Sequence, residues 1–511
     1  MRLVKTIAGL RSCVDGYRRQ SCEIGFVPTM GALHAGHISL LERARAENDR
    51  LAVSIYVNPL QFGPDEDLDR YPQRLEADCQ ICAELEADLV FAPTAAEMGA
   101  TSGETTRVQP PTPLLQVLCA PFRPGHFPGV ATVVTQLLNL MQPTRAYFGE
   151  KDAQQLAIVR QLGHDLKLPG EICACPIVRE PSGLAYSSRN RYLSDPEREQ
   201  ALALWRGLQR AQQLFQTGER EAIALIAAAK DELARSPAVA VQYVELVDPH
   251  QLTPLASVET AGLLGIAAYV GNTRLIDNVI LRARRPIIAI DGPAGAGKST
   301  VTRAVAQQLG LLYLDTGAMY RALTWLVWQA GLSLDDEAAI IELAHQADIQ
   351  LLTDDQTLKL RAIANGTDVT TVIRSPEVTA RVSAVAKIPA VRRYLVRQQR
   401  RWGEKGGIVA EGRDIGTHVF PDAELKIFLT ASVRERARRR WHDFQALGRG
   451  DDLDLAQLEA EIATRDRLDS HRRIAPLRKA PDAIEIDTDG LSAAAVVAQI
   501  VNLYPRHDLA E

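Results

Sequence analysis

Several things are missing from this 511-residue chain, and each absence excludes something. No apolar run approaches the roughly 18 residues needed to cross a bilayer, so a helical membrane protein is not expected. Neither sign of charge dominates. The 58 basic and 63 acidic side chains leave a net charge of −5, which gives no reason to expect a nucleic-acid binder or attraction to an anionic membrane. The opening stretch MRLVKTIAGLRSCVDGYRR lacks a sustained apolar core and a small-residue cleavage site, which argues against secretion. Cysteine is confined to the first 175 residues, and seven is an odd number for a complete disulfide framework. Cys79 and Cys82, or Cys173 and Cys175, lack the second His/Cys pair of a zinc site. Buried thiols in a reducing cytoplasm are the simpler expectation. No Pro/Gly/Ser-rich linker, internal repeat or low-complexity tract is present.

With 46% hydrophobic and 24% charged residues, what remains is ordinary globular composition, long enough for about three domains. The strongest local signal is IDGPAGAGKST. A run of buried-strand character, residues 287–290, leads into Gly292-x-x-x-x-Gly297-Lys298-Ser299, and helical character follows from Thr300. That is P-loop spacing. Glycines at 292, 295 and 297 let backbone N–H groups turn toward phosphate oxygens at a helix N-terminus. Lys298 would reach the β- and γ-phosphates, and the Ser299 hydroxyl would ligate Mg²⁺. The rival reading is a glycine-rich turn with no ligand. Because 291 residues precede this loop, the first half must be folded in its own right.

Residues 23–57 read as a compact βαβ unit: strand 23–28, turn 29–36, helix 36–47, strand 51–57. Such units bind ligands beyond the carboxyl ends of their strands, and there the chain places His34-Ala-Gly36-His37. Two imidazoles at a helix start, with a glycine that admits the nucleotide, suit adenylyl transfer. A structural histidine is the bland alternative. PTMGALHAGH, VNPLQFGPDEDLDRYP, GHFPGVATVV, FGEKDAQQ and SSRNRYL, in that order, resemble pantothenate synthetases of the HxGH nucleotidyltransferase group over about residues 1–280. The resemblance implies a Rossmann-like core, residues 1–176, and a small α+β lid, 177–281. It implies ATP- and Mg²⁺-dependent joining of pantoate to β-alanine through a pantoyl adenylate, and a homodimer formed through this domain. It further implies His37 as catalytic acid with His34 beside it. Met30, Gly31, Val178 and Tyr186 would lie against the nucleotide. Tyr186 stands where the family usually has methionine. Gly149, Glu150, Lys151 and Asp152 would supply a cation and a Mg²⁺ carboxylate, while Ser187, Ser188 and Arg189 would face pyrophosphate. Gln61 and Gln155 would hold pantoate, with Asn58 and His126 as weaker members. Asp65, Glu66, Asp67 and Asp69 read as a solvated acidic loop. The chain shows no KMSKS motif, which disfavours an aminoacyl-tRNA synthetase.

Helices 196–217 and 219–234 and strands 241–247 and 263–270 follow, and residues 278–285 read as a short link. Beyond the P-loop, strands 311–314, 407–410 and 424–429 alternate with helices, predicting a parallel P-loop sheet. An Asn-Lys-x-Asp base motif is missing, which counts against a GTPase. YLDTGAMYRA, VSAVAKIPAVR, EGRDIGT and RDRLDSHRRIAPL, with the P-loop, resemble cytidylate kinases over about 282–511. That resemblance implies transfer of the ATP γ-phosphate to CMP or dCMP. Gly292, Gly295, Gly297, Lys298, Ser299 and Thr300 would bind ATP. Asp315, Arg321, Ser383, Arg392, Arg413, Asp414, Arg465 and Arg472 would bind the acceptor or the transferring phosphoryl group. Arg465 and Arg472, seven apart, would share a helix face. The runs 397–401 and 434–440 read as solvated helix faces, and 431–450 as a lid. An adenylate- or shikimate-type kinase would share the P-loop without EGRDIGT. The other class of reading makes one half a non-catalytic nucleotide sensor.

Overall fold

The computed structural model describes residues 1–64, 66–99, 106–353, 360–446, 454–471 and 476–504. The chain divides into two compact units, Met1–Ala283 and a second beginning at Arg284. In the first unit, β1 (Arg2–Val4), β2 (Ile24–Thr29), β3 (Arg50–Ile55), β4 (Leu89–Phe91), β5 (Arg145–Gly149) and β6 (Glu171–Cys175) pair in parallel. Their spatial order is β1-β4-β3-β2-β5-β6. β2 is buried along nearly its whole length. Ile24 and Phe26 enter one apolar core while Val27 enters another, so both faces of the sheet are covered. From the β2/β5 seam chain order runs outward through β3 and β4 on one side and β6 on the other, with β1 added at the far edge. Residues 30–37 and 150–152 therefore meet at a topological switch point, where open α/β sheets bind ligands.

The rest of this unit packs helices Asp195–Gln216 and Ala222–Leu233 on an antiparallel sheet of β7 (Val239–Val247), β8 (Ala261–Val270) and β9 (Thr273–Arg282). β9 corrects one expectation. Residues 278–285 read as a link, yet Asn278 through Arg282 pair with β8, and Leu275 and Leu281 are buried in the sheet's core. The joining segment is thus residues 283–287.

In the second unit, β10 (Ile288–Asp291), β11 (Leu312–Asp315), β15 (Ile408–Gly412), β16 (Leu425–Thr430) and β17 (Ile484–Asp487) form a parallel sheet ordered β11-β15-β10-β16-β17. A separate antiparallel sheet of β12 (Ile349–Thr353), β13 (Leu360–Ala364) and β14 (Thr367–Asp368) was not anticipated. Among the described residues no helix is long and apolar enough to cross a membrane. All seven cysteines are free thiols, with Cys82, Cys119, Cys173 and Cys175 buried and the other three half-buried.

Helix His126–Met141 crosses the 57–62 loop so closely that a Cβ on Gly129 would lie 2.0 Å from the Leu60 carbonyl oxygen. Gly129→Ala should therefore destabilise the chain by about 1–3 kcal/mol in urea unfolding. An unchanged midpoint would show that the loop retreats freely.

Candidate active sites

The turn after β2 is held before any ligand arrives. Thr29 Oγ1 donates to the Ser54 carbonyl at 2.8 Å and accepts from Gly31 N at 3.1 Å. Buried Asp78 accepts from Ala32 N and Leu33 N, each at 2.8 Å. His34 caps helix Ala35–Glu47 by accepting from Gly36 N on Nδ1 at 3.2 Å, which places its ring proton on Nε2. The His34 and His37 ring centroids are 4.1 Å apart, and a Cβ on Gly36 would meet the His34 ring at 3.1 Å. His37 is half-buried as a residue, but its Nδ1 is sealed and has no hydrogen-bond partner among the described residues. Burial, then the Lys151 charge, pushes His34 down to about 4. Burial, then His34 and Lys151, pushes His37 to about 3. Both imidazoles are neutral at neutral pH.

Lys151 and Asp152 belong to the turn Glu150–Asp152 at the end of β5 and line a pocket with Gln155 and His126. His126 is fixed from both sides. Arg123 Nη1 donates to its Nε2 at 3.0 Å, so Nδ1 carries the proton donated to the Gln61 carbonyl at 2.7 Å. Burial and then the Arg123 guanidinium lower its pKa to about 4. Asn58 spends its side chain internally. It donates to Gln61 Oε1 at 3.0 Å and to the Gly129 carbonyl at 3.2 Å, and accepts from Leu60 N, so it orients Gln61. Met30 follows β2 directly, half-buried. Tyr186 N donates to the Val178 carbonyl, and its ring lies near-parallel to His34 with centroids 6.0 Å apart. Ser188 Oγ is 3.4 Å from Tyr71 OH, and Ser187 Oγ accepts from Arg189 N.

The acidic loop is not simply solvated. Asp67 takes both arms of the Arg189 fork at 2.7 and 3.1 Å, and Glu66 takes Arg123 at 2.5 and 2.6 Å. Asp69 is exposed, while Asp65 lies outside the described residues. Partners of opposite charge more than 50 residues away drew these carboxylates in. Nothing local in the sequence marked Glu66, Asp67, Asp78 or Arg123.

In the second unit Gly292, Gly295 and Gly297 take φ of 150°, 80° and 82°, and a Cβ on Gly292 would strike the Leu429 carbonyl oxygen at 2.2 Å. Three consecutive carbonyls each receive a cation. Arg413 donates to Gly292 O at 3.1 Å, Lys298 to Pro293 O at 2.6 Å and Arg436 to Ala294 O at 3.1 Å. Ser299 and Thr300 open helix Lys298–Leu309, exposed. Beside them lies Glu411, buried on β15. Tyr313 donates to its Oε1, while Oε2 is buried with no hydrogen-bond partner among the described residues. Burial, then Asp315, raises the Glu411 pKa against the pull of Tyr313, Lys298 and Ser299.

Asp315 caps helix Thr316–Gln329 through Ala318 N at 3.0 Å. Arg321 donates to Thr379 Oγ1 at 2.8 Å, and buried Arg392 pairs with buried Asp414 at 2.5 Å. Asp291 accepts from Ile415 N and Gly416 N, tying the strand before the P-loop to the turn that bears Arg413 and Asp414. Ser383 is exposed on helix Pro376–Ala386. Arg465 belongs to helix Leu455–His471, but its side chain lies outside the described residues, as does all of Arg472.

The arginine runs correct another expectation. Arg436 is 3% exposed and pairs with Asp466 through both arms at 2.6 and 3.0 Å. Arg439 donates to the Thr488 carbonyl, and Arg400 to the His418 and Val419 carbonyls. Helical periodicity hides such inward members inside a run of charges.

The first unit is therefore a Rossmann-like nucleotidyltransferase domain with an α+β subdomain, and the second a P-loop kinase domain. A family model described as pantoate-beta-alanine ligase matches residues 2–280, and one described as cytidylate kinase matches residues 288–506. Curated relatives named bifunctional pantoate ligase/cytidylate kinase include those of Trichormus variabilis, 55% identical over 99% of both chains, and Synechococcus elongatus, 59% identical over 95% of this chain and 93% of the relative. The crystal structure of pantothenate synthetase from Thermus thermophilus is similar, with 44% identity and a TM-score of 0.52, over 55% of this chain and 99% of that one. The chain belongs to the bifunctional pantoate ligase/cytidylate kinase family.

Since the folded His126 pKa is about 4 against an ordinary 6.5, the unfolded chain takes up that proton first as pH falls. Its contribution is fully present above pH 6.5 and fades toward pH 4. His126→Gln should flatten the acid slope of the unfolding free energy by about 1–2 kcal/mol over this window. Parallel slopes in urea titrations would contradict the assignment.

Proposed function

We propose that the first unit condenses pantoate with β-alanine at the expense of ATP, and that the second transfers the ATP γ-phosphate to CMP or dCMP, at two independent nucleotide sites. The observation that carries this reading is that each unit gathers its own phosphate-directed groups at the carboxyl end of its own parallel sheet.

In the first reaction a carboxylate oxygen of pantoate attacks the α-phosphorus, and the bond to the pyrophosphate oxygen breaks. The β-alanine amine then attacks the acyl carbon, loses a proton and expels AMP. Bringing a carboxylate against a triphosphate sets anion against anion, so cations and donors must intervene. His34 offers its Nε2–H, and the neutral state of His34 and His37 makes them hydrogen-bond donors rather than fixed charges. The fixed charges are Lys151 and Arg189, with Ser187 and Ser188 beside the latter. Met30, Gly31, Val178 and Tyr186 border the nucleotide. Gln61, oriented by Asn58, and Gln155 hold pantoate.

In the second reaction the free N–H groups at the start of helix Lys298–Leu309 and the Lys298 side chain hold the ATP phosphates. Arg321, Arg392 and Arg413, with Asp315, Ser383 and Asp414, receive the acceptor, and Arg465 and Arg472 join them by resemblance. Mg²⁺ fits both sites. Asp152 offers an exposed carboxylate in the first, and Ser299 with the unpartnered Glu411 Oε2 offers an oxygen pair in the second. When bound, the ion neutralises charge on the phosphates. By resemblance the chain works in the cytoplasm as a homodimer through its first unit. A light-scattering mass equal to one chain, 56.0 kDa, would remove the dimer.

Product analysis with Mg-ATP tests the two sites together. Lys298→Ala should abolish ADP formation with CMP and leave AMP formation with pantoate and β-alanine, and His37→Ala should do the reverse. If both products fell in either folded variant, the independence of the sites would be lost. Glu411→Gln should raise the Mg²⁺ concentration for half-maximal kinase rate about tenfold. An unmoved Mg²⁺ curve would take the ion away from Glu411.

A further inference from the structure

The cation of the first site does not hold itself in place. Lys151 sits on a three-residue turn, and the groups that fix the turn come from β9, more than 120 residues later. Asn278 Nδ2 donates to the Glu150 carbonyl at 3.0 Å and to the Lys151 carbonyl at 2.9 Å. Asn278 is 6% exposed and its neighbour Asp277 4%. Asp277 Oδ1 accepts from Asn278 N at 2.8 Å, and its carboxylate takes both arms of Arg179, at 2.6 and 2.9 Å. Arg179 is itself gripped. It donates to the Gly183 carbonyl at 3.1 Å and lies over the Trp205 ring with its guanidinium carbon 3.7 Å from the centroid. Arg179 also follows Val178 and bridges to Ala185, next to Tyr186.

We propose that Asn278 is a positioning residue for Lys151, and that the Asp277–Arg179 ion pair sets it in register with the 178–186 hairpin. Two backbone carbonyls captured by one amide remove the rotation of the turn that would swing the Lys151 side chain away from His34 and His37. Its ammonium acts on both imidazoles from where the turn now stands. A carboxamide is the side chain for this task, because its one nitrogen offers two N–H donors, one for each carbonyl, and it carries no charge to compete with Lys151. The ion pair ties that amide to the hairpin carrying Val178 and Tyr186. The two borders of the nucleotide space therefore move as one piece. The reading of the Lys151 role in the previous section is the premise here, and Lys151→Ala alone tests that premise. An unchanged rate there removes Lys151 whatever Asn278 does.

The test is a double-mutant cycle in the full-length chain, read as AMP formation from ATP, pantoate and β-alanine, with CMP phosphorylation as an internal reference. Asn278→Ala should lower kcat about tenfold. The KM for pantoate should stay within about twofold, because pantoate is held by other groups. In the Lys151→Ala background the same change should cost less than about twofold, since a residue that acts through Lys151 has nothing left to position. A full further loss in that background, or an unchanged kcat in the single variant, would overturn the proposal. Should Asn278→Ala fail to give a folded first unit, Asn278→Asp keeps the size and removes the donors. The same cycle with that variant decides the question.

Discussion

Every backbone N–H and carbonyl needs a partner, and the two sites differ in which of these groups the fold has already paired. In the second unit the carbonyls of residues 292, 293 and 294 each accept from a cation, Arg413, Lys298 and Arg436 in turn, and the N–H groups that open helix Lys298–Leu309 are the backbone donors left to meet an anion. In the first unit the corresponding turn has already spent its donors. Gly31, Ala32, Leu33 and Gly36 give their N–H groups to Thr29, Asp78 and His34. On the proposed reading the side chains of His34, His37, Lys151 and Arg189 would meet phosphate there. On that reading one half would meet a nucleotide with backbone and the other with side chains, though both stand at the carboxyl end of a buried parallel strand.

The two arrangements differ in what they require of the rest of the fold. A backbone cradle draws on one short stretch of glycine conformations, with Lys298, Arg413 and Arg436 on its carbonyls. A side-chain site has to be gathered. Its histidines follow β2, its lysine follows β5, its hydroxyls follow the 178–186 hairpin, and β9 braces the lysine turn. The α+β subdomain therefore braces the turn that carries Lys151.

Legibility in the sequence follows the same divide. The P-loop, the His34–His37 pair and the strands before them were readable, because strand, turn and helix start lie within a dozen residues of one another and one period gives way to another. Antiparallel additions were harder to see. β9 reads as a link because its apolar residues end in a run of arginines, and only pairing with β8 reveals it as a strand. β12 to β14 broke the alternation that predicted parallel strands alone. Long-range charge pairs were invisible. Arg436 looks like its neighbours in a basic run until Asp466 is seen 30 residues on, and Asp67 looks solvated until Arg189 arrives from 122 residues away. Sequence spacing carries the groups that meet phosphate and loses the groups that hold them.

The buried thiols have a consequence for handling and for oxidative chemistry. Burial holds Cys82 up at about 12 and Cys175 at about 11, and pushes Cys173 well up too. The thiolate is the reactive form, so these sulfurs are nearly inert toward peroxide or alkylating agents while the fold is intact. Half-buried Cys13, Cys22 and Cys79 are the sulfurs such reagents can reach in the folded chain. A chain with seven thiols and no disulfide thus keeps its redox-sensitive chemistry at the margin of the first unit, and the β5 and β6 framework behind Lys151 is shielded from it.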